Sequence, residues 1–534
     1  MKNQQQLYLK NNVVVEPLIN QWYAWPYLIS PVTAAMYIAH SHLKIMQSFV
    51  STPQVHISAL KNPAMLGGPF INYDTSRVDE IKDLIEKTIK EQAHILELAE
   101  AIKTLDKMLT NEAKGFSLEP IYQKVPEVLK GYVELVYDLN NNPSIRFIEG
   151  LLYKSPYYNQ SAQSIALFLI NTDQRHFVFS TPRLEDDSSL HLSIPFSSNV
   201  IDELFKMKNF PCSLSSIKEK LDIKDKDYEL FTSLFTEEEP DKYPEYIGDE
   251  VRIRYFGHAC LLIESKGVSI LCDPIISYKC DTGISRYTYA DLPESIDYVL
   301  ITHNHQDHCM FETLLQLRHK TKNVIVPKNN GGGLADPSLK LILQNIGFKQ
   351  EKIIELDEME NIEIEGGMII GLPFFGEHGD LNIRTKIAYV ISLQGKTIFI
   401  AADSNNLQPK VYEYIHSFLG NDVDVLFLGM ECDGGPFTWL YGPLLTQPLA
   451  RNMDQSRRFN GSDYEKAIDL VNQLNPREVY VYAMGQEPWL TFLTSIQYTE
   501  DSRPIIESNK LVEKCTVQGI TAERLFGQKE LFLK

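Results

Sequence analysis

Cysteine is scarce: seven residues in 534, an odd number with no close pairing pattern. That excludes a disulfide framework as the basis of the fold and leads us to expect a reducing, cytoplasmic setting. Positive charge is also short, with 51 Lys plus Arg against 70 Asp plus Glu and a net charge of −19. A chain so acidic has no global field with which to hold nucleic acid or an anionic membrane. The opening MKNQQQLYLKNN lacks an apolar stretch of the secretory kind. The most apolar segment, Trp22 to Ala39, is broken by Pro26 and Pro31 and dotted with Ser30 and Thr33. A membrane-spanning helix needs about 20 apolar residues with few breakers, so this segment is expected to be a buried or interface element. Nucleotide fingerprints are missing as well. Asn329-Asn330-Gly331-Gly332-Gly333 lacks the Gly-Lys-Ser/Thr of a phosphate-binding loop, and no flavin or nicotinamide signature occurs.

Apolar residues make up 44% and charged residues 23%, a globular composition, and the length implies two or three domains. From Ser76 to Gly115 the apolar positions Val78, Ile81, Leu84, Ile85 and Ile89 recur at helical steps. Short strand-like runs follow, such as Val133 to Tyr137 and Ser164 to Ile170, separated by Asn-, Asp- and Ser-rich turns. This first part reads as α+β with a mostly antiparallel sheet. Residues 236–249 are acidic and carry Pro240 and Pro244, which makes them the best linker in the chain. The expected division is an α+β domain over 1–240 and a second domain over 249–534.

Beyond the linker, strand-like runs end in residue types that bind metals. The sharpest case is Thr302-His303-Asn304-His305-Gln306-Asp307-His308, directly after the apolar run Tyr298 to Ile301. The spacing presents His303 and His305 from one side of a turn, while Asp307 and His308 open a helix expected over Cys309 to His319. Such a turn divides its ligands between two metals, two His for one and an Asp with a His for the other. Imidazole with carboxylate suits Zn, Fe or Mn.

This motif, with Gly257-His258-Ala259 upstream and Asp273-Pro274 at a strand end, resembles the metallo-β-lactamase fold superfamily over about 249–534. The resemblance implies an αβ/βα sandwich with a two-metal site at one edge, in a superfamily that is mostly zinc hydrolases with some iron oxidoreductases. Asp403, after Ile398 to Ala402, sits where the superfamily places its bridging carboxylate. Hydrolases of this fold use a third His near Phe374-Phe375-Gly376-Glu377-His378; here Glu377 and His378 stand side by side, and only one is expected to ligate. Those hydrolases also take a last His from near the C-terminus, but no His follows His416. With Glu377 chosen, the set His303, His305, Asp307, His308, Glu377 and Asp403 is rich in oxygen donors and suits iron.

That departure, together with the whole-chain layout and the Gly429-Met430-Glu431-Cys432-Asp433-Gly434-Gly435 segment, resembles a narrower family. This is the diiron β-hydroxylases of nonribosomal peptide antibiotic biosynthesis, of the chloramphenicol-pathway type. In them an α+β N-terminal domain is followed by a metallo-β-lactamase-like αβ/βα sandwich, and a Glu replaces the third His. The resemblance implies a non-haem diiron monooxygenase using two iron ions, O₂ and an external electron donor, with Glu377 and Asp403 in the catalytic centre. It implies β-hydroxylation of an aminoacyl group held as a thioester on the carrier (thiolation) domain of a nonribosomal peptide synthetase, with a separate reductase. The competing reading is a dinuclear zinc hydrolase acting on a lactone, phosphodiester or amide through metal-bound hydroxide.

Weaker expectations follow. Asp273 would orient a metal-bound His. His258 is a candidate to support the metal ligands from behind, and reads at least as well as a hydrogen-bonded core histidine. Glu431 and Asp433 are candidates to meet a substrate amine, with a plain turn the leading alternative; Trp439 and Tyr441 to form the substrate wall, with core packing the leading alternative; and Arg451, Arg457 and Arg458 to meet a carrier phosphopantetheine, with a solvated surface the leading alternative. Cys309 reads as packing. The aromatic run Trp22, Tyr23, Trp25 and Tyr27 is costly to expose, which leads us to expect a homodimer formed through the N-terminal domain.

Overall fold

The computed structural model describes residues 6–241, 243–420 and 422–533. The N-terminal part is built on a four-stranded antiparallel sheet in the order Trp22–Tyr23, Val13–Ile19, Gln163–Leu169, Leu190–Leu192. Val13–Ile19 is buried along its whole length, because the sheet is covered on both faces. Strand Gln6–Leu9 pairs with both Cys212–Ser213 and Phe235–Thr236, bringing the two ends of this part together. The helical stretch expected over Ser76 to Gly115 is two helices, Val78–Glu91 and Ala93–Glu112, parted at Gln92.

The C-terminal part is two seven-stranded sheets packed face to face. One runs in the order Ile353–Leu356, Thr321–Pro327, Ile296–Leu300, Val268–Cys272, Leu261–Ser265, Val251–Tyr255, Lys529–Leu533. The other runs Asn361–Ile364, Gly367–Leu372, Ala388–Leu393, Lys396–Ile400, Val425–Gly429, Glu478–Tyr482, Thr521–Arg524. Side chains such as Ile263, Ile270, Ile391, Ile398 and Phe427 fill the space between them. Helices Lys410–Leu419, Tyr464–Leu474 and Arg503–Val517 cover the outer face of the second sheet. This is the αβ/βα sandwich. Its parallel strands all end at one edge, and the loops leaving Val268–Cys272, Ile296–Leu300, Lys396–Ile400 and Val425–Gly429 converge there.

The aromatic run does not face outward. Trp22, Tyr23, Trp25 and Tyr27 are all buried inside this one chain. Pro26 and Pro31 occupy first-turn positions of the short helices Pro26–Ile29 and Pro31–Tyr37, where a missing N–H costs nothing. The Tyr23 hydroxyl donates to Glu312 at 3.0 Å and Tyr27 to the Ala335 carbonyl at 2.7 Å, both in the C-terminal part. The chain covers this face itself, which removes the ground for expecting a dimer through it. Among the described residues, no helix is long and apolar enough to cross a membrane.

The two parts are also joined by charge. Arg175 bonds Glu16 on the N-terminal sheet and Glu312 in the helix Phe311–Leu317, and Arg183 closes on Glu16 from the other side. All four groups are buried. Burial alone would raise the Glu16 carboxyl, but Arg183 and Arg175 outweigh it and hold it at about 2.

Candidate metal centre

The site is assembled by strand ends in a strained backbone. His258, Asp273, Glu377, Ala402 and Ala483 have φ of 52°, 38°, 66°, 47° and 53°. Each is a non-glycine residue in left-handed conformation, at a cost of about 1–3 kcal/mol. Such strain persists only where the surroundings over-determine it, and here it rings one cleft.

Asp273 holds the motif strand. It accepts from the Thr302 backbone N–H at 2.7 Å and the Thr302 hydroxyl at 2.6 Å, and it faces His308 Nδ1 at 2.8 Å. His308 Nε2 then meets Asp403 Oδ2 at 3.0 Å. Burial disfavours a charged His308, yet Asp403 and Asp273 more than offset this and raise it well above the ordinary imidazole range. Asp273 thus has the geometry expected of a group that orients a ligating His.

The six residues singled out from the sequence converge. Ligand-type atoms of His303, His305 and Glu377 lie within 4.8 Å of one another, as do those of His303, His308 and Asp403. Asp307 and His308 form a third cluster with His258. Glu377 Oε1 is 3.1 Å from His305 Nδ1, whereas His378 turns its Nδ1 to the Tyr441 hydroxyl at 2.6 Å and belongs to none of the three clusters. The adjacent pair therefore separates: Glu377 faces the cleft and His378 faces a tyrosine.

His258 is the residue that sequence reasoning undervalued. Its Nδ1 accepts from the Gly485 N–H at 3.1 Å, which points Nε2 toward Asp307 Oδ2 at 3.4 Å. Gly485 lies in the Tyr480–Glu487 region that has no histidine, so the backbone there supports a His from the other sheet. The one available signal was the Gly257-His258 pair itself. Gly257 has φ 104°, and a Cβ on it would lie 2.8 Å from the Trp489 ring.

Metal cations fit this donor set. His303 Nε2, His258 Nε2 and Asp403 Oδ1 are buried without hydrogen-bond partners, a costly state that coordination relieves. Burial, with Asp403 and Asp307 nearby, raises Glu377 well above the usual carboxylate range, as expected where acids converge with no cation between them. Gly429 makes room for this arrangement: a Cβ there would lie 2.9 Å from both Ala402 O and Asp403 Oδ1.

The cluster opens into a cavity of about 650 Å³. His305, Asp307, Glu377 and Asp403 line its floor, and residues 64–70 of the N-terminal part, with Trp439 and Tyr498, line its walls. Glu431 and Asp433 also face it. Glu431 is pushed up to about 7 by burial and is held by the Gly434 and Asp433 N–H groups at 2.7 and 3.0 Å. Trp439 lines this cavity, while Tyr441 instead bonds His305 and His378. Arg457 and Arg458 are occupied with loop carbonyls at Gly379, Asp433 and Gly434, which argues against a phosphate role for them. Arg451 is exposed. Cys309 is fully buried and its thiol is pushed far up by burial, consistent with packing.

Comparison with known proteins agrees with this geometry. Residues 8–240 match the diiron non-heme β-hydroxylase N-terminal domain family, and residues 252–482 match a β-lactamase superfamily domain. The chain is 38% identical to the 4-amino-L-phenylalanyl-[CmlP-peptidyl-carrier-protein] 3-hydroxylase of Streptomyces venezuelae, over 98% of this chain and 99% of that one. The crystal structure of CmlA, a diiron β-hydroxylase from Streptomyces venezuelae, superposes with a TM-score of 0.93 at 37% identity, covering 99% of this chain and all of that one. A Glu-to-Asp variant of CmlA gives 0.90 at 36% identity, with 99% of this chain and 100% of that one covered. The match runs along the full length of a known hydroxylase, and the chain belongs to the diiron non-heme β-hydroxylases.

Proposed function

We propose that this enzyme hydroxylates the β-carbon of an aminoacyl group held as a thioester on a nonribosomal peptide synthetase carrier domain. The observation that carries the reading is the full-length match to a hydroxylase whose substrate is carrier-bound. That match supports the hydroxylase and not the zinc-hydrolase alternative.

We assign His303, His305 and Glu377 to one iron, Asp307 and His308 to the other, and Asp403 to the space between them. His258 adjoins the second set. Two irons with O₂ supply an oxidant able to take hydrogen from an unactivated C–H bond. The chain's own groups do the rest. Asp273 fixes the ring of His308 by accepting its Nδ1–H. Residues 64–70 and Trp439 exclude water and leave the cavity as the place where the β-carbon is held. Glu431 sits in the wall as an acceptor for a polar end of the substrate. The N-terminal part is assigned the role of cover, since it supplies one wall. Electrons come from a separate reductase, as the sequence carries no flavin or nicotinamide signature.

The test is a single turnover of chemically reduced, iron-loaded protein with O₂. Free amino acids and the same residues loaded on a carrier domain are compared by mass spectrometry. A gain of one oxygen at the β-carbon of the carrier-bound residue, with little on the free one, is expected. Stoichiometric zinc with hydrolase activity would overturn the reading; equal hydroxylation of both forms would remove the carrier alone.

A further inference from the structure

The metal cavity does not end at its own walls. Leu66 and Gln497 line it, and both also line two further cavities, one of about 110 Å³ and one of about 900 Å³. The three form one continuous space: metal cavity, narrow neck, outer groove. Neck and groove follow the seam between the two parts of the chain, with Leu60 and Asn72 supplied by the N-terminal part and Thr491 by the C-terminal part. The neck is braced across that seam. Trp439 Nε1 donates to the Gly67 carbonyl at 2.9 Å, and the Val178 N–H donates to the Phe492 carbonyl at 2.9 Å. Gly67 has φ 77°, and a Cβ there would lie 2.9 Å from Ser495 Cβ, so a side chain at this position would press across the neck where glycine leaves it open. A space of this size admits a thin, flexible chain and stops a folded domain.

The chemistry of the outer groove is set by neutral groups. Its charged residues are spent within the chain: Arg175 and Arg183 on Glu16, Asp173 on Arg286, and Asp186 on the Ser188 and Ser189 hydroxyls. An anion would find no unpaired guanidinium there. Asn72, Gln174 and Gln497 also line the groove, and their side-chain amides have no hydrogen-bond partner among the described residues. Each such amide offers two donors and an acceptor. Three of them along one groove suit an uncharged chain that carries amides of its own.

We propose that the neck and the outer groove hold the phosphopantetheine arm of the carrier domain, so that the aminoacyl thioester reaches the metal cavity along the seam and not over the exposed rim at Asp433. The inference rests on the carrier reading above. Between its phosphate and its thiol the arm is a flexible, uncharged chain with amide groups, which matches both the bore of the neck and the unpartnered amides of the groove. Contacts made by the arm lie away from the reacting carbon, and the neck converts them into a fixed approach for the β-carbon. The two parts of the chain act together here, because the neck exists only where residues 60–72 meet residues 491–497.

The test uses the full iron-loaded chain with an aminoacylated carrier domain. Leu60 lines the neck and the groove but not the metal cavity. Leu60→Trp should therefore keep its iron while kcat/KM on the carrier-bound residue falls about ten-fold or more. A second measurement decides the matter if that variant folds poorly. Asn72→Cys places a thiol in the neck and Asp433→Cys places one at the exposed rim, and maleimide labelling at each is read by peptide mass spectrometry. With loaded carrier at about ten times its Kd, labelling at Asn72→Cys should slow about ten-fold, and a carrier lacking the arm should leave the rate unchanged. Labelling at Asp433→Cys should not depend on the arm. Arm-dependent protection at Asp433→Cys with none at Asn72→Cys, or an undiminished kcat/KM in a well-folded Leu60→Trp, overturns the groove assignment alone. A loaded carrier that protects neither thiol and is never hydroxylated by the unmodified protein overturns the carrier reading, and the groove assignment with it.

Discussion

Glu377 Oε1 lies 3.1 Å from His305 Nδ1, while its neighbour His378 points the other way to Tyr441. Two adjacent residues on a tight loop cannot share one direction, and the left-handed φ of 66° at Glu377 decides which enters the cleft. Glu377→Ala is therefore expected to lose about one of two irons per chain while keeping its fold, and His378→Ala to keep both. Iron analysis with circular dichroism checks this. Loss of iron in His378→Ala at full occupancy in Glu377→Ala would reverse the assignment.

Asp273 makes no expected contact with metal, yet both its oxygens are used on Thr302 and His308. Asp273→Asn keeps the shape and removes the charge that supports the His308 ring. Metal affinity should fall about 10–100-fold, the usual effect of losing such a supporting carboxylate. Competition with a chelator measures it, and unchanged affinity would leave Asp273 as a plain strand-end turn.

Much of this site was legible in the sequence because its ligand types are local. His303, His305, Asp307 and His308 fall within one turn after an apolar strand, and Asp403 follows another. What was not legible depends on distant backbone. His258 acquires its direction from Gly485, 227 residues away. Tyr441 read chiefly as core packing, with the substrate wall as the alternative, and nothing near it in sequence announces His305 and His378. The aromatic run Trp22 to Tyr27 read as a dimer face because its true cover, including Glu312, lies 289 residues beyond Tyr23. The α+β character of the first part and the two-sheet character of the second were readable from strand periodicity; the break at Gln92 between two helices was not, since the apolar positions continue through it.

Gly429 offers a test of how closely the second sheet supports the ligands. Its missing side chain leaves space beside Asp403 that a methyl group would invade at 2.9 Å from Ala402 O and Asp403 Oδ1. Gly429→Ala is expected to destabilise the fold by about 1–3 kcal/mol and to lower iron occupancy by displacing Asp403. Denaturant unfolding and iron analysis of the same sample separate the two effects. Full occupancy would mean that the loop after Lys396–Ile400 yields instead.

The Glu16–Arg175–Glu312 network predicts a specific acid response. Glu16 has a folded value of about 2 against an ordinary 4.5. The stability it contributes is fully present above pH 4.5 and is lost as pH falls through 4.5 toward 2, because the unfolded chain then takes up a proton that the folded chain refuses. By linkage this is worth roughly 3 kcal/mol. Glu16→Gln leaves Arg175 and Arg183 buried with less negative charge, so it should cost about 3–5 kcal/mol at pH 7. The cost should shrink markedly by pH 3, where the unmodified protein has lost most of the same contribution. Because Arg175 also bonds Glu312 in the helix that follows the His303–His308 motif, the weakened variant should loosen the joint between the two parts before either part melts. Hydrogen exchange on Val13–Ile19 and Phe311–Leu317 reads that joint directly. A destabilisation equal at pH 7 and pH 3 would show that the ion network contributes through shape alone.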